Sequence, residues 1–282
     1  MVGRIFAILF LVMLSGGWDG IHPGCCGVSG ADVHFVEYRS TNGCISVSSI
    51  GAQVTSWRPA ALAGEEVFFM ASETPWGSEV HGGIPICWPW LGRREGLPIH
   101  GLVRYMKWRR VEIAESKGLS FETEATPESR TIWPHGFRLR VTMSLPAPNR
   151  LEVELTESNT DNVPFESGFG FHPYILVADS CDVELDGDRV SRPNGETFKF
   201  AADGKAHGLT DVRRKRRYKV SADGIDMWYL WNAGVECTPM LKTLAPDDWK
   251  HFFCLEPLRF KPLSLAPGES RVFRFAIQIV EP

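Results

Sequence analysis

Along FRLRVTMSL, residues 137–145, apolar Phe, Leu, Val, Met and Leu alternate with Arg, Arg, Thr and Ser, and LEVELTE, 151–157, repeats the alternation. A period of two turns one face of each segment to a core and the other to solvent, so both are expected as half-buried strands. The five residues between them, PAPNR, carry two prolines and an asparagine and read as the turn of a hairpin. FRFAIQI, 273–279, sets Phe273, Phe275, Ile277 and Ile279 on one face, with PGES before it as the turn into the strand. CISVSSIGAQVTSW, CDVELDG and MWYLWN add short β-type runs separated by Gly, Pro, Asp and Asn, and no window of a dozen residues carries a 3.6-residue apolar stripe. The expected fold is all-β, a large antiparallel β-sandwich.

No repeat, low-complexity tract or linker interrupts the chain after residue 32, so 32–282 are expected to form a single domain. The opening MVGRIFAILFLVMLSGG sets an arginine before ten apolar residues and then small ones. Residues 1–30 therefore read as a signal peptide or as a non-native extension from a misassigned start, and the apolar run is short for a membrane span. Seven cysteines (25, 26, 44, 87, 181, 237 and 254) form no CxxC pair and cannot all be paired within one chain. Unpaired thiols favour the cytoplasm, with export the alternative if the N-terminal segment is a true signal. A net charge of −4, from 30 basic and 34 acidic residues, gives no general attraction to nucleic acid or to an anionic membrane. The basic run RRKRR, 213–217, reads as a solvated edge or loop.

The stretch GGIPICWPWLGRREGLPIHGLVR, 82–104, follows neither period. Prolines at 85, 89 and 98 exclude a long helix, and glycines at 82, 83, 92, 96 and 101 permit backbone angles closed to other residues. Trp88 and Trp90 would anchor such a loop on the core and leave Arg93, Arg94, His100 and Arg104 to face something else. Two further places combine an ionisable group with an unusual backbone. Glu256, in FFCLEPL, has apolar neighbours, and a buried carboxylate must be paired or shift its pKa upward, as a general base does; a solvent-facing strand end is the other reading. His172, in GFGFHPY, is walled by aromatics and could donate a proton near neutral pH, although a lone histidine is more often a hydrogen-bonded core residue. Histidines and cysteines show no metal-ligand spacing, and no GxSxG occurs.

Taken in order, GAQVTSW (51–57), GGIPICWPWLG (82–92), LPIHGLVR (97–104), GFHPY (170–174), LWN (230–232), FFCLEP (252–257) and LAPGES (265–270) resemble the aldose 1-epimerase superfamily, above all its hexose-6-phosphate mutarotase branch. The resemblance runs from about residue 32 to the C-terminus. It implies a galactose mutarotase-like sandwich, with the 82–104 loop in the wall of a sugar cleft. It also implies an isomerase of a hexose or hexose 6-phosphate that needs no cofactor or metal, and the chain is expected to be a monomer. His172 matches the family's catalytic histidine and Glu256 its catalytic glutamate. In that scheme the carboxylate takes the proton of the anomeric hydroxyl while protonated His172 gives one to the ring oxygen; the ring opens, the C1–C2 bond rotates, and reclosure exchanges the anomers. His100 would hydrogen-bond the sugar, and Arg104 would bind a phosphate. A second arginine usually precedes GGIP, where this chain has His81, so Arg93 or Arg94 substitutes or the substrate is an unphosphorylated aldose. Asp211, in GLTD, falls where relatives meet sugar hydroxyls. A noncatalytic carbohydrate-binding protein on the same fold is the competing reading.

Overall fold

The structure, a computed structural model, describes residues 33–281 except 77, 114–117 and 192. The N-terminal segment read as a leader or an extension lies outside the described residues. Strands follow one another as β1 Phe35–Ser40, β2 Gly43–Ser48, β3 Val54–Pro59, β4 Ile86–Cys87, β5 Arg109–Val111 and β6 Gly118–Glu124. Next come β7 Phe137–Ala147, β8 Arg150–Asn159, β9 Phe165–Phe171, β10 Tyr174–Leu176, β11 Val183–Leu185 and β12 Asp188–Arg189. The chain ends with β13 Thr197–Ala201, β14 His207–Asp211, β15 Arg216–Asp223, β16 Met227–Trp231, β17 Phe252–Leu265 and β18 Ser270–Glu281.

These strands form a nine-stranded sheet in the order β12-β11-β14-β15-β18-β8-β7-β6-β5, a six-stranded sheet β13-β16-β17-β9-β4 with β10 also on β17, and a three-stranded sheet β1-β2-β3. The alternating segments behave as their period requires. β7 and β8 pair antiparallel as a hairpin, and β8 pairs β18, with Leu155 opposite Phe273 and Val153 opposite Phe275. The two large sheets meet through aromatic side chains: Phe169 of β9 stacks on Phe273 of β18 with ring centroids 4.3 Å apart, and Phe171 meets Phe275 at 5.5 Å. The all-β sandwich is therefore present, its core filled from both inner faces.

Strand β17 carries two environments, because successive side chains of a strand point to opposite faces. Phe253 and Leu255 belong to the main core between the sheets. Phe252 and Cys254 belong to a second apolar cluster with Phe69, Tyr174 and Trp249 on the other face. Glu256 shares the parity of that second face.

The RRKRR run departs in part from expectation. Arg213, Arg214 and Lys215 are exposed in the β14–β15 turn, where Arg213 pairs with Asp179 at 2.8 Å and Asp182 at 2.5 Å. Arg216 is buried instead and donates to Glu65 at 2.7 Å, since the alternation of β15 turns it inward. No described helix is long and apolar enough to cross a membrane.

One buried carboxylate ties the layers together. Glu157 of β8 is fully buried and accepts from Trp88 Nε1 at 2.7 Å, Ser167 Oγ of β9 at 2.8 Å and Arg271 Nη1 of β18 at 3.0 Å. Removing it strands a buried indole N–H and hydroxyl and a partly exposed guanidinium at once. Glu157→Ala is expected to lower unfolding free energy by about 3–5 kcal/mol, measured by denaturant titration, against about 1 kcal/mol for Ser167→Ala.

Candidate active site

The aperiodic loop is pinned at both ends by close backbone approach. Gly83 has φ +59°, and a Cβ there would lie 2.0 Å from the Val54 carbonyl; Gly101 has φ +85°, and its Cβ would lie 1.9 Å from the Trp88 carbonyl. Only glycine fits either position without displacing backbone. Between them, Ile86 and Cys87 pair with Phe171 and Gly170 of β9, Trp88 N–H donates to the His100 carbonyl at 3.2 Å, and Leu102 N–H donates to the Trp88 carbonyl at 2.8 Å. Trp90 Nε1 donates to the Pro98 carbonyl at 3.0 Å. The loop is folded onto itself and onto the six-stranded sheet, and His100 is held at φ 61°, a left-handed angle.

Strand register brings the two best candidates together. β17 pairs β10 with Cys254 opposite Tyr174, and pairs β9 with Leu258 opposite Gly170. Continuing that register between the two ladders sets Glu256 level with His172, where Pro173, lacking an N–H, interrupts the pairing. His172 Nε2 lies 3.5 Å from Glu256 Oε1, with the side chains 8% and 5% exposed. The imidazole lies flat on Tyr174 (centroids 4.8 Å, planes 9° apart), and meets His100 edge-on at 5.5 Å and Trp231 at 5.8 Å. His172 N–H donates to the Pro85 carbonyl at 3.0 Å, which fixes the residue against the loop.

Burial sets the proton inventory. It raises the Glu256 carboxyl to about 8, opposed by the charge of Arg104. Burial, then the charges of His100, Arg104 and His81, push His172 well below the usual imidazole range. His100 is pushed down to about 3, first by burial and then by Arg104. At neutral pH the His172–Glu256 pair therefore holds one proton, on the carboxyl, leaving one donor and one acceptor 3.5 Å apart.

Arg104 and His81 complete the group. Arg104 is buried, donates from Nη2 to the Val80 carbonyl at 3.0 Å, and its charge reaches His100, His172 and Glu256. His81 is buried, with Nδ1 2.5 Å from Thr243 Oγ1 and Nε2 3.5 Å from Glu79 Oε1. Arg93 and Arg94 lie exposed in the same loop; Arg94 rests over the Trp90 ring at 5.2 Å, and the charge of Arg93 reaches His100. Asp211 is not brought to this group. It ends β14 in the nine-stranded sheet, fully buried, and its two carboxylate oxygens accept from Ala178 N–H at 2.7 Å and Arg214 N–H at 3.1 Å.

Glu79, Thr243, Tyr174 and Trp231 join the site without having been singled out by chemistry in the sequence. For Glu79 a signal existed, an acid two positions before a histidine in an extended segment, which shares that histidine's side of the chain. His172, Cys254 and Glu256 also bring three potential ligand atoms within 4.8 Å of one another. Burial holds the Cys254 thiol far above its ordinary range, so the thiolate a metal would need is disfavoured there.

Known proteins share this arrangement of strands and sequence. Residues 36–197 match the aldose 1-epimerase family. The chain is 33% identical over 233 residues to an Escherichia coli K12 protein named “Putative glucose-6-phosphate 1-epimerase”, across 73% of this chain and 76% of that one. It is 28% identical over 273 residues to a Cenchrus ciliaris protein of the same name, across 85% and 82%. A solved structure called a “putative mutarotase (YeaD)” from Salmonella typhimurium has the same fold, with a TM-score of 0.80 at 23% identity over 89% of this chain and 92% of that one. The fold is that of a mutarotase-like sugar isomerase, and the chain belongs to the aldose 1-epimerase family.

The loop geometry can be tested directly. Gly101→Ala requires a Cβ at 1.9 Å from the Trp88 carbonyl at a left-handed φ. It is expected to lower the melting temperature and to weaken sugar binding together, whereas Gly187→Ala, also at a left-handed φ but with nothing within 4 Å of its Cβ and placed in the β11–β12 turn of the nine-stranded sheet, should leave sugar binding unchanged.

Proposed function

We propose that this isomerase interconverts the α and β anomers of a hexose 6-phosphate, with His172 and Glu256 moving the protons. The observation that carries the reading is the buried pair itself: two groups 3.5 Å apart that share one proton at neutral pH. Anomer exchange needs one acid and one base, acting on the ring oxygen and the anomeric oxygen; the net change moves one proton from the anomeric oxygen to the ring oxygen and requires neither metal nor cofactor. In the ring-opening direction Glu256 accepts from the anomeric hydroxyl while His172 donates to the ring oxygen. The unliganded pair carries its proton on Glu256, which is the state reached once the ring has opened. A bound cyclic sugar bridging the two groups exchanges that tautomer for the ionised one without changing the proton count.

His100 supplies a neutral imidazole to a sugar hydroxyl, since its depressed pKa keeps it uncharged. Arg104 and His81 line the end of the cleft proposed for the phosphate, with Arg93 and Arg94 as exposed cations in the loop beside it. The names of the Escherichia coli and Cenchrus ciliaris relatives support the 6-phosphate as substrate. Sugar phosphates are made inside cells, which favours a cytoplasmic enzyme; we read it as a monomer with residues 32–282 as a single domain. A free aldose is the second reading, favoured by Glu79 beside Arg104.

Freshly dissolved α-glucose 6-phosphate is expected to reach anomeric equilibrium faster with the protein present, followed by polarimetry or NMR; no acceleration would leave a noncatalytic sugar-binding protein. Glu256→Gln and His172→Asn should each lower kcat by about a hundred- to ten-thousand-fold while leaving sugar binding largely intact. The pH profile should be bell-shaped. Above about 8 Glu256 loses the shared proton and no acid remains; well below the usual imidazole range His172 gains a second proton and no base remains. A kcat/KM that keeps rising through pH 9 would remove the shared-proton assignment.

A further inference from the structure

Three charged or titratable side chains converge on the segment Glu79–Val80–His81. Arg104 donates to the carbonyl of Val80, the residue between the other two, at 3.0 Å. His81 has both ring nitrogens occupied, one by Thr243 at 2.5 Å and one by Glu79 at 3.5 Å. Glu79 is the member that reaches solvent, its side chain 32% exposed against 5% for His81, so it is the group of the two that an entering ligand meets. Burial alone would raise the Glu79 carboxyl, but the hydrogen bond from His81 and the charge of Arg104 outweigh it and hold it at about 2. It is therefore an anion at any physiological pH.

This corner differs from one built to seize a dianion. An arginine at position 81 beside Arg104 would present two permanent positive charges. Here the permanent charges are one guanidinium and one carboxylate, which cancel, and the imidazole is already bonded on both sides. A phosphate approaching Arg104 also approaches Glu79, and like charges brought together in a partly desolvated cleft repel strongly. A neutral hexose meets no such penalty, and its hydroxyls can donate to the carboxylate.

Resting on the epimerase reading above, we propose that Glu79 is the specificity residue of the cleft: by cancelling Arg104 at the mouth of this corner it lets the site accept hexoses with and without a 6-phosphate, rather than the phosphorylated sugar alone. Glu79 acts on substrate choice and takes no part in proton transfer. Removing its charge uncovers Arg104 and converts the corner to an anion site.

The test measures the affinities of wild type, Glu79→Gln and Glu79→Ala for glucose 6-phosphate and for glucose by calorimetry, with melting temperatures to verify folding. Glutamine keeps the shape and the bond to His81; alanine removes both. In each variant the preference for the phosphorylated sugar, taken as the ratio of the two affinities, is expected to rise by about tenfold or more at low ionic strength, with the gain shrinking as salt is added. A ratio unchanged within about twofold in a folded variant, or one that falls, overturns the proposal. Binding and turnover separate the two claims: a wild type that binds both sugars but accelerates neither anomerisation refutes the catalytic reading, while the ratio still decides the role of Glu79. A wild type that binds neither sugar overturns both.

Discussion

A carboxyl and an imidazole withdrawn from water must each avoid carrying an uncompensated charge, and the cleft meets that demand by letting one proton serve both. Burial pushes Glu256 up and His172 down, so their ordinary order of acidity is reversed. The reversal depends on surroundings that supply little solvation: Tyr174 covers one face of the imidazole, Trp231 and His100 meet it edge-on, and the Pro85 carbonyl holds its backbone. Arg104 opposes the shift at Glu256, whose carboxyl stands at about 8. A buried cation thus moderates the rise of a buried carboxyl.

That arrangement has to be held still, and the sandwich supplies the rigidity. The loop that carries His100 and Arg104 crosses its own backbone at Gly101 and lies against the Val54 carbonyl of β3 at Gly83, while Ile86 and Cys87 pair with β9. Trp88, at the centre of the loop, reaches the Glu157 network between the sheets. The same carboxylate binds β9 through Ser167 and β18 through Arg271. The wall of the cleft and the core of the protein are consequently one hydrogen-bonded unit, and positional precision in the cleft is inherited from packing far from it.

Much of the fold was legible because β7, β8 and β18 carry a clean period of two and their turn residues stand where hairpins need them. The loop was legible as a loop through its glycines and prolines. Its folded path was not, because the partners of Gly83 and Gly101 are the carbonyls of Val54 and Trp88, contacts that no local pattern encodes. His172 and Glu256 carried a local signal of apolar surroundings and gained their meaning from the order of motifs around them. Asp211 shows the limit of such transfer: a motif match put it near sugar, whereas its oxygens are occupied by the backbone of Ala178 and Arg214. Glu79 shows the converse, a residue whose surroundings, His81 beside it and Arg104 on the adjacent carbonyl, come from contacts that no local pattern names. Arg216 was hidden by its company, since a run of five basic residues conceals that strand alternation turns one of them inward.

Strand β17 is lined on one face by Phe253 and Leu255 of the main core and on the other by Cys254, with Glu256 sharing the parity of Cys254. A slip of a single residue along β9 and β10 would exchange those faces wholesale, driving the glutamate among the stacked phenylalanines and turning leucine toward the sugar. Such a chain could not bury its core and keep its acid misplaced; it would fail to close at all. Correct assembly of the sandwich and the placement of Glu256 beside His172 are therefore set by the same register.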